Sequence, residues 1–331
     1  MRKSLIDIKL IIATFICCLL ISAMPAFSQL TINGGTLTIG NNATVNAYVN
    51  VSSNTSVLGN GRIVLKDLSG QNINMNGQSL PILEINNQNN INLSGNLVVR
   101  DSLVFTKGKL IQNTFNSCIS STASIKNADS TKYIVTNASG KLIKANLNAT
   151  NFNYPIGNDI STYNPVTISN SGTADSIGVR CLTNAYQNGL TGSAYTLDVV
   201  DASWDVSESV AGGSSLTIKA TWYQSDELTG FNRSSSGISN YVTSPVNLVG
   251  WDLLNNQLGI ATGSGVGPYS YTRSGITNLG AFAIGSKKFL SPLIVSAKVF
   301  LQGNYDPTTG LMSDNLRQLN LIPTAEPYAA L

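Results

Sequence analysis

An all-β chain is predicted, with a short right-handed β-solenoid-like region followed by an antiparallel β-sandwich. Short apolar pulses, each apolar at i and i+2, run through residues 31–111, and Leu37-Thr38-Ile39, Ile63-Val64-Leu65, Leu83-Glu84-Ile85 and Leu103-Val104-Phe105 are examples. That spacing places both apolar side chains on one face of a strand. Turn formers fill the gaps between pulses, as at Gly40-Asn41-Asn42, Gly59-Asn60-Gly61 and Ser94-Gly95-Asn96. A three-residue pulse cannot bury a core alone, whereas stacked copies can. Beyond residue 150 the alternating segments lengthen and are separated by Gly/Ser/Asn turns, which is the texture of a sandwich.

Residues 1–28 read as a secretory signal peptide. Arg2, Lys3 and Lys9 precede an apolar stretch from Leu10 to Ala26, and Ala26-Phe27-Ser28 supplies a small-residue cleavage pattern. The apolar stretch is about 17 residues, at the lower limit for spanning a bilayer, and the polar start at Gln29 favours removal over anchoring. No later stretch has the length of a membrane span, so none is expected after signal removal. The expected location is therefore secreted or cell-surface.

Residues 29–149 form the solenoid-like repeats, which fade through Tyr133-Ile134-Val135 and Leu142-Ile143. Residues 150–288 form the sandwich, with strand-like runs at Ile177–Leu182, Tyr195–Val200, Trp204–Val206, Leu216–Trp222, Val246–Trp251, Tyr269–Thr272 and Ala281–Ile284. Residues 289–331 open a C-terminal segment with one strand-like run, Val295–Leu301, a turn at Asp306–Gly310 and a helix expected over Ser313–Leu321, stopped by Pro323.

Composition excludes several function classes. Charged residues are 11% of the chain and apolar residues 42%, enough for real cores. The net charge of +3 loses Arg2, Lys3 and Lys9 and one acid, Asp7, with the leader, leaving +1. A nearly neutral chain offers no electrostatic case for nucleic acid. The chain has no histidine, which removes Ser–His–Asp and Cys–His nucleophilic systems and His-ligated metals. The repeat region has only Asp67, Glu84, Asp101 and Asp129 as acids, and their spacing forms no row for glycoside hydrolysis. No enzyme activity, metal or cofactor is expected.

Certain residue groups carry two readings. Asp198, Asp201, Asp205 and Glu208 surround Trp204 as a calcium or sugar site or, preferably, as polar turns flanking a strand; they lack the ligand spacing of an EF-hand. Trp222, Tyr223 and Trp251 form a candidate sugar-stacking platform, with packing in the core as the favoured alternative. The runs Asn72–Asn76 and Asn86–Asn92 contact a polysaccharide or, preferably, form ladders and turns between rungs. Cys17 and Cys18 leave with the leader; Cys118 and Cys181 remain, either as a disulfide or as two separate buried thiols.

Tyr154-Pro155-Ile156-Gly157 with Tyr163-Asn164-Pro165-Val166, the Trp-containing strands and the closing run Gly280–Gly285 resemble a module of large exported Bacteroidetes proteins. The tail, with Val299–Tyr305, Leu316-Arg317, Leu321-Ile322-Pro323 and Glu326-Pro327-Tyr328, resembles the start of a longer C-terminal region in such proteins, here truncated at Leu331. The resemblance spans about residues 150–331 and implies secretion to the surface or medium. Asp101-Ser102-Leu103, Asp129-Ser130-Thr131 and Asp175-Ser176-Ile177 resemble the O-glycosylation sequon of those proteins, making Ser102, Ser130 and Ser176 candidate acceptors. The expected function is a non-enzymatic exported structural or adhesion module. The alternative is a carbohydrate-binding accessory protein of a polysaccharide-degrading system, so polysaccharide or another surface component is the expected partner.

Overall fold

The computed structural model describes residues 29–66, 69–136, 138–243, 250–252 and 258–286, together with short strands at 305–306 and 311–312. The leader, the run Val295–Leu301 and the helix expected over Ser313–Leu321 lie outside the described residues. Strand makes up 56% and helix 2%, so the chain is all-β.

Most of the apolar pulses alternate between two parallel sheets and build a β-solenoid of about 6 turns, while Thr38–Ile39 pairs parallel with Leu58–Gly59 in a separate two-stranded sheet. One sheet takes Gln29–Ile32, Asn50–Ser53, Gln71–Asn74, Ile91–Leu93, Leu110–Ile111, Ile134–Val135 and Ile156–Gly157 in that order. The other begins with Thr44–Ala47, Arg62–Lys66, Ser79–Asn86, Leu97–Lys107, Ser117–Ile119 and Leu142–Leu147. A rung therefore consumes two pulses, and asparagines bond across rungs to residues 20 to 22 positions away: Asn54 Oδ1 accepts from the Gly34 N–H, Asn54 Nδ2 donates to Asn33 Oδ1, and Asn50 Oδ1 accepts from the Asn72 N–H.

Register turns the pulses into vertical stacks. Val45, Ile63, Leu83, Leu103 and Ile125 align in one column, and Ala47, Leu65, Ile85 and Phe105 in the next. Val51, Ile73 and Leu93 answer them from the opposite sheet. Ile63, Leu65, Ile73, Leu83 and Ile85 are fully buried, each contributing about 1.5–3 kcal/mol of transfer free energy. One polar side chain inside is fully satisfied: Gln71 Nε2 donates to the Ala47 and Val49 carbonyls (2.9 and 2.7 Å), and its Oε1 accepts from Asn87 Nδ2 (3.0 Å).

The asparagines bind rungs together and turn corners. Asn90, Asn96 and Asn116 each accept through Oδ1 from a backbone N–H of the following rung, on Lys109, Asn116 and Lys141 (2.9, 2.9 and 2.8 Å). Asn42, Asn76, Asn90 and Asn113 adopt positive φ, which Asn tolerates better than most residues. At Gly108 even Asn would not serve: φ is +73° and a Cβ would lie 1.9 Å from the Asn87 carbonyl oxygen.

Near residue 100 the architecture forks. Leu97–Lys107 pairs along one edge with Ser79–Asn86; along the other it pairs first with Ser117–Ile119 and then with Ser124–Lys126. Leu142–Leu147 continues the sheet, parallel to Ser117–Ile119 and antiparallel to Asp175–Thr183. Val199–Glu208, Gly280–Ser286, Ser236–Val242 and Gly250–Trp251 then extend it antiparallel to 12 strands. A separate antiparallel sheet holds Phe152–Tyr154, Val166–Asn170, Leu216–Trp222 and Tyr269–Ile276. Val179, Trp204 and Val206 of the long sheet share one buried cluster with Ile168, Ile218 and Trp222 of the four-stranded sheet, and this cluster is continuous with the solenoid interior. The change at residues 149–150 expected from sequence thus falls beside the switch in pairing, while sheet and core run through it.

Residues of the Tyr-Pro-Ile-Gly and Tyr-Asn-Pro-Val segments tie these layers together. Tyr154 donates its hydroxyl to the Ile177 carbonyl (3.0 Å), and the Asn164 carbonyl accepts from Trp204 Nε1 (3.0 Å). Cys118 and Cys181 are both free thiols, Cys118 half-buried and opposite Ile143, Cys181 buried and opposite Trp204. Strands Tyr305–Asp306 and Leu311–Met312 pair antiparallel, and residues 307–310, where the turn is expected, lie outside the described residues. Among the described residues no helix is long and apolar enough to cross a membrane.

Two phenols at this junction give the fold an alkaline limit. The Tyr133 and Tyr163 rings lie 5.0 Å apart, and Tyr133 donates to the Asp159 carbonyl (2.9 Å). Burial, reinforced by Tyr223 and Asp129, pushes Tyr163 up to about 12, and burial raises Tyr133 as well. Both stay protonated in the fold above the ordinary tyrosine value near 10. Their contribution is therefore complete below about pH 10 and lost as pH climbs towards the folded values. The urea midpoint is expected to fall between about pH 8 and about pH 11, and to fall less in Tyr163→Phe.

Candidate functional site

The residues read from sequence as a sugar platform are packed inside the protein. Trp222 is fully buried, donates Nε1 to Glu227 Oε1 (2.9 Å), and meets the Phe231 and Tyr269 rings at 6.0 and 6.1 Å. Trp251 is equally buried in a second, smaller cluster beside Tyr241 and donates to the Tyr186 carbonyl (2.8 Å). Tyr223 is half-buried, and its backbone N–H donates to Asp226 Oδ2 (2.9 Å). The three do not converge, and neither indole has a face open to a ligand. The core alternative describes both tryptophans: Trp222 shares its buried strand face with Leu216, Ile218 and Ala220, and Trp251 is buried beside Ala185, Val199 and Ala283.

The serines of the sequon-like triplets separate as well. Ser102 is 5% exposed within the forked strand, so its hydroxyl is out of reach of a modifying enzyme. Ser176 is half-buried, and its Oγ accepts from the Asn146 N–H (3.4 Å). Ser130 is exposed in the turn closed by reciprocal backbone bonds between Asp129 and Lys132.

The acidic group around Trp204 disperses into separate roles. Asp205 lies between Lys141 Nζ (2.9 Å) and Arg180 Nε (2.8 Å), a structural ion triad that ties strands Val199–Glu208 and Asp175–Thr183 to the residue leading into Leu142–Leu147. Burial raises Asp201 above the usual carboxylate range, as does the approach of Asp226. Among the described residues no three His, Cys, Asp or Glu side chains gather as metal ligands do.

What the sequence did not single out is a cleft of about 430 Å³ at the fork. Ser124–Lys126 pairs only with Leu97–Lys107; among the described residues no strand takes its outer edge. In the following rung the chain leaves the long sheet after Leu147 and enters the other sheet at Phe152. The space between the two paths is the cleft, lined by residues 121–125, 127–128, 144, 146–148, 150–153 and 155. Asn127 (φ 60°) and Asn146 (φ 50°) make the left-handed bends at its rim.

Lys144 forms its floor. Nζ donates to the Ser120, Ser121 and Ala123 carbonyls (2.6, 2.8 and 2.7 Å), using all three of its N–H groups. It also lies 5.0 Å from the Phe152 ring centroid, and burial lowers its pKa from the usual lysine value. Phe152 is half-buried and packs edge-on against Tyr154 with centroids 4.8 Å apart. Above this floor Asn127, Asn146 and Asn151 hold exposed side-chain amides that bond to no other described residue. Asn148 is tied to its own turn through the Thr150 N–H (2.9 Å). The one sequence signal for the site is the density of asparagine around an aromatic residue in Asn146–Asn153.

The chain matches no family model, and neither curated proteins nor solved structures show significant similarity to it.

Proposed function

We propose that the protein is a non-enzymatic exported module, a solenoid stem carrying an antiparallel head at the cell surface or in the medium. The observation that carries this reading is the use to which the ionisable side chains are put. Glu84 binds Arg62 and Thr106, Asp205 binds Lys141 and Arg180, Glu227 binds Arg233 and Trp222, and Asp252 binds Arg273. Each is engaged in holding strands or turns together. The leader-like residues 1–28 and the resemblance of residues 150–331 to exported Bacteroidetes proteins support export. The head is read as a sandwich because its two antiparallel sheets feed one core. Ser130 is the acceptor of choice should the sequon-like triplets be used.

Expression with the native leader tests this reading. The chain should be found on intact cells or in the medium, without release of reducing or unsaturated sugars from a mixed polysaccharide panel. Retention in the cytoplasm would overturn export; sugar release would overturn the non-enzymatic assignment.

A second reading, carbohydrate binding in the service of a polysaccharide-degrading system, is favoured by the asparagine-lined cleft alone.

A further inference from the structure

We propose that the cleft between residues 121–128 and 144–155 binds an uncharged oligosaccharide, with Asn127, Asn146 and Asn151 as its hydrogen-bonding residues and Phe152 as its apolar surface. This deepens the carbohydrate-binding reading and rests on it. A side-chain amide presents donors and an acceptor together, which matches sugar hydroxyls, each of which also donates and accepts. Asn127, Asn146 and Asn151 offer such amides with no competing partner among the described residues. A half-buried aromatic among convergent polar groups is the usual composition of a small-ligand site, supplying apolar area beside the hydrogen bonds that fix orientation.

Charge selects the class. No acid is among the residues lining the cleft, and the one cation among them is Lys144, whose three N–H groups are already committed to carbonyls; Lys126, on the adjoining strand, is not part of that lining. A carboxylate or sulfate on the ligand would find no free charged donor there, while a neutral hydroxylated chain would find a full complement of amides. An extended peptide is the other ligand that an open strand edge invites. Ser124–Lys126 spans three residues, with Ile125 half-buried, and gives too short a ladder for strand addition.

The test uses the full chain on an array of neutral oligosaccharides of glucose, mannose, galactose and xylose. Uronic-acid oligomers, sulfated oligosaccharides and a hexapeptide array are run in parallel. Binding to at least one neutral oligosaccharide is expected, and the double variant Asn127→Gly/Asn151→Ala should weaken it about tenfold or more, as loss of two or more hydrogen bonds does. Both positions are exposed, and glycine accepts the positive φ of residue 127 (60°), so the melting temperature should move little. Thr150→Trp, which fills the cleft from its rim, should abolish the same binding. Neutral-glycan binding untouched by these variants would overturn the cleft assignment while leaving the carbohydrate reading standing. Binding only to acidic glycans or only to peptides would overturn the ligand class. Binding to no glycan would overturn both.

Discussion

Trp222→Ala is expected to lower the unfolding free energy by about 3–5 kcal/mol, the range for emptying a large aromatic site in a core. The indole is wholly buried on Leu216–Trp222, packs on Phe231 and Tyr269, and satisfies Glu227 through Nε1. Its removal leaves a void and also frees a carboxylate oxygen that Arg233 must then hold alone. Against a total stability of about 5–15 kcal/mol typical of folded domains, this is a large fraction. Chemical denaturation followed by tryptophan fluorescence checks it. A variant with wild-type stability would mean the ring stands at the surface after all, restoring the stacking-platform reading.

Asp205→Ala is expected to cost about 2–3 kcal/mol, between the small worth of surface ion pairs and the large penalty for orphaning buried charges. Its carboxylate is 12% exposed, and the Lys141 and Arg180 side chains it holds are 19% and 20% exposed. Both cations would be left partly buried without an anion. Arg180 keeps its bond to the Ala138 carbonyl (2.9 Å) and Lys141 its bond to Ser207 (3.0 Å), which bounds the loss. Because the triad is largely shielded, wild-type stability should change little between low salt and about 1 M salt. A loss below about 0.5 kcal/mol, the ordinary range for surface substitutions, would show that the triad is solvated and incidental.

The stem was readable because its physics is local. Ile63 and Leu65, or Leu83 and Ile85, announce a strand face by their spacing, and the Asn and Gly residues between them announce the corners. Assigning alternate pulses to different sheets requires the partner of each strand, which lies a full rung away. Ser102 illustrates the same limit: its sequence neighbours suggest an accessible triplet, while pairing on both edges of the forked strand buries it. For Trp222 the core reading has a visible local signal, since Leu216, Ile218 and Ala220 share its buried face while Lys219 between them is exposed. The cleft was hidden for a different reason. It is made by segments of two successive rungs failing to pair, and a strand's missing partner leaves no mark in its residues. Asp205 likewise finds Lys141 and Arg180 only through pairing across Leu142–Leu147 and its neighbours.

Leu142–Leu147, parallel on one edge and antiparallel on the other, removes any hinge between stem and head. A tension pulling the two apart would load backbone hydrogen bonds in a continuous ladder rather than straighten a linker. The cleft, sited on that strand's flank, is held at a fixed attitude to the stem axis. Molecules fixed side by side by their stems would then present their clefts in one common orientation, and a long polymer meeting several of them would lose little further freedom with each contact.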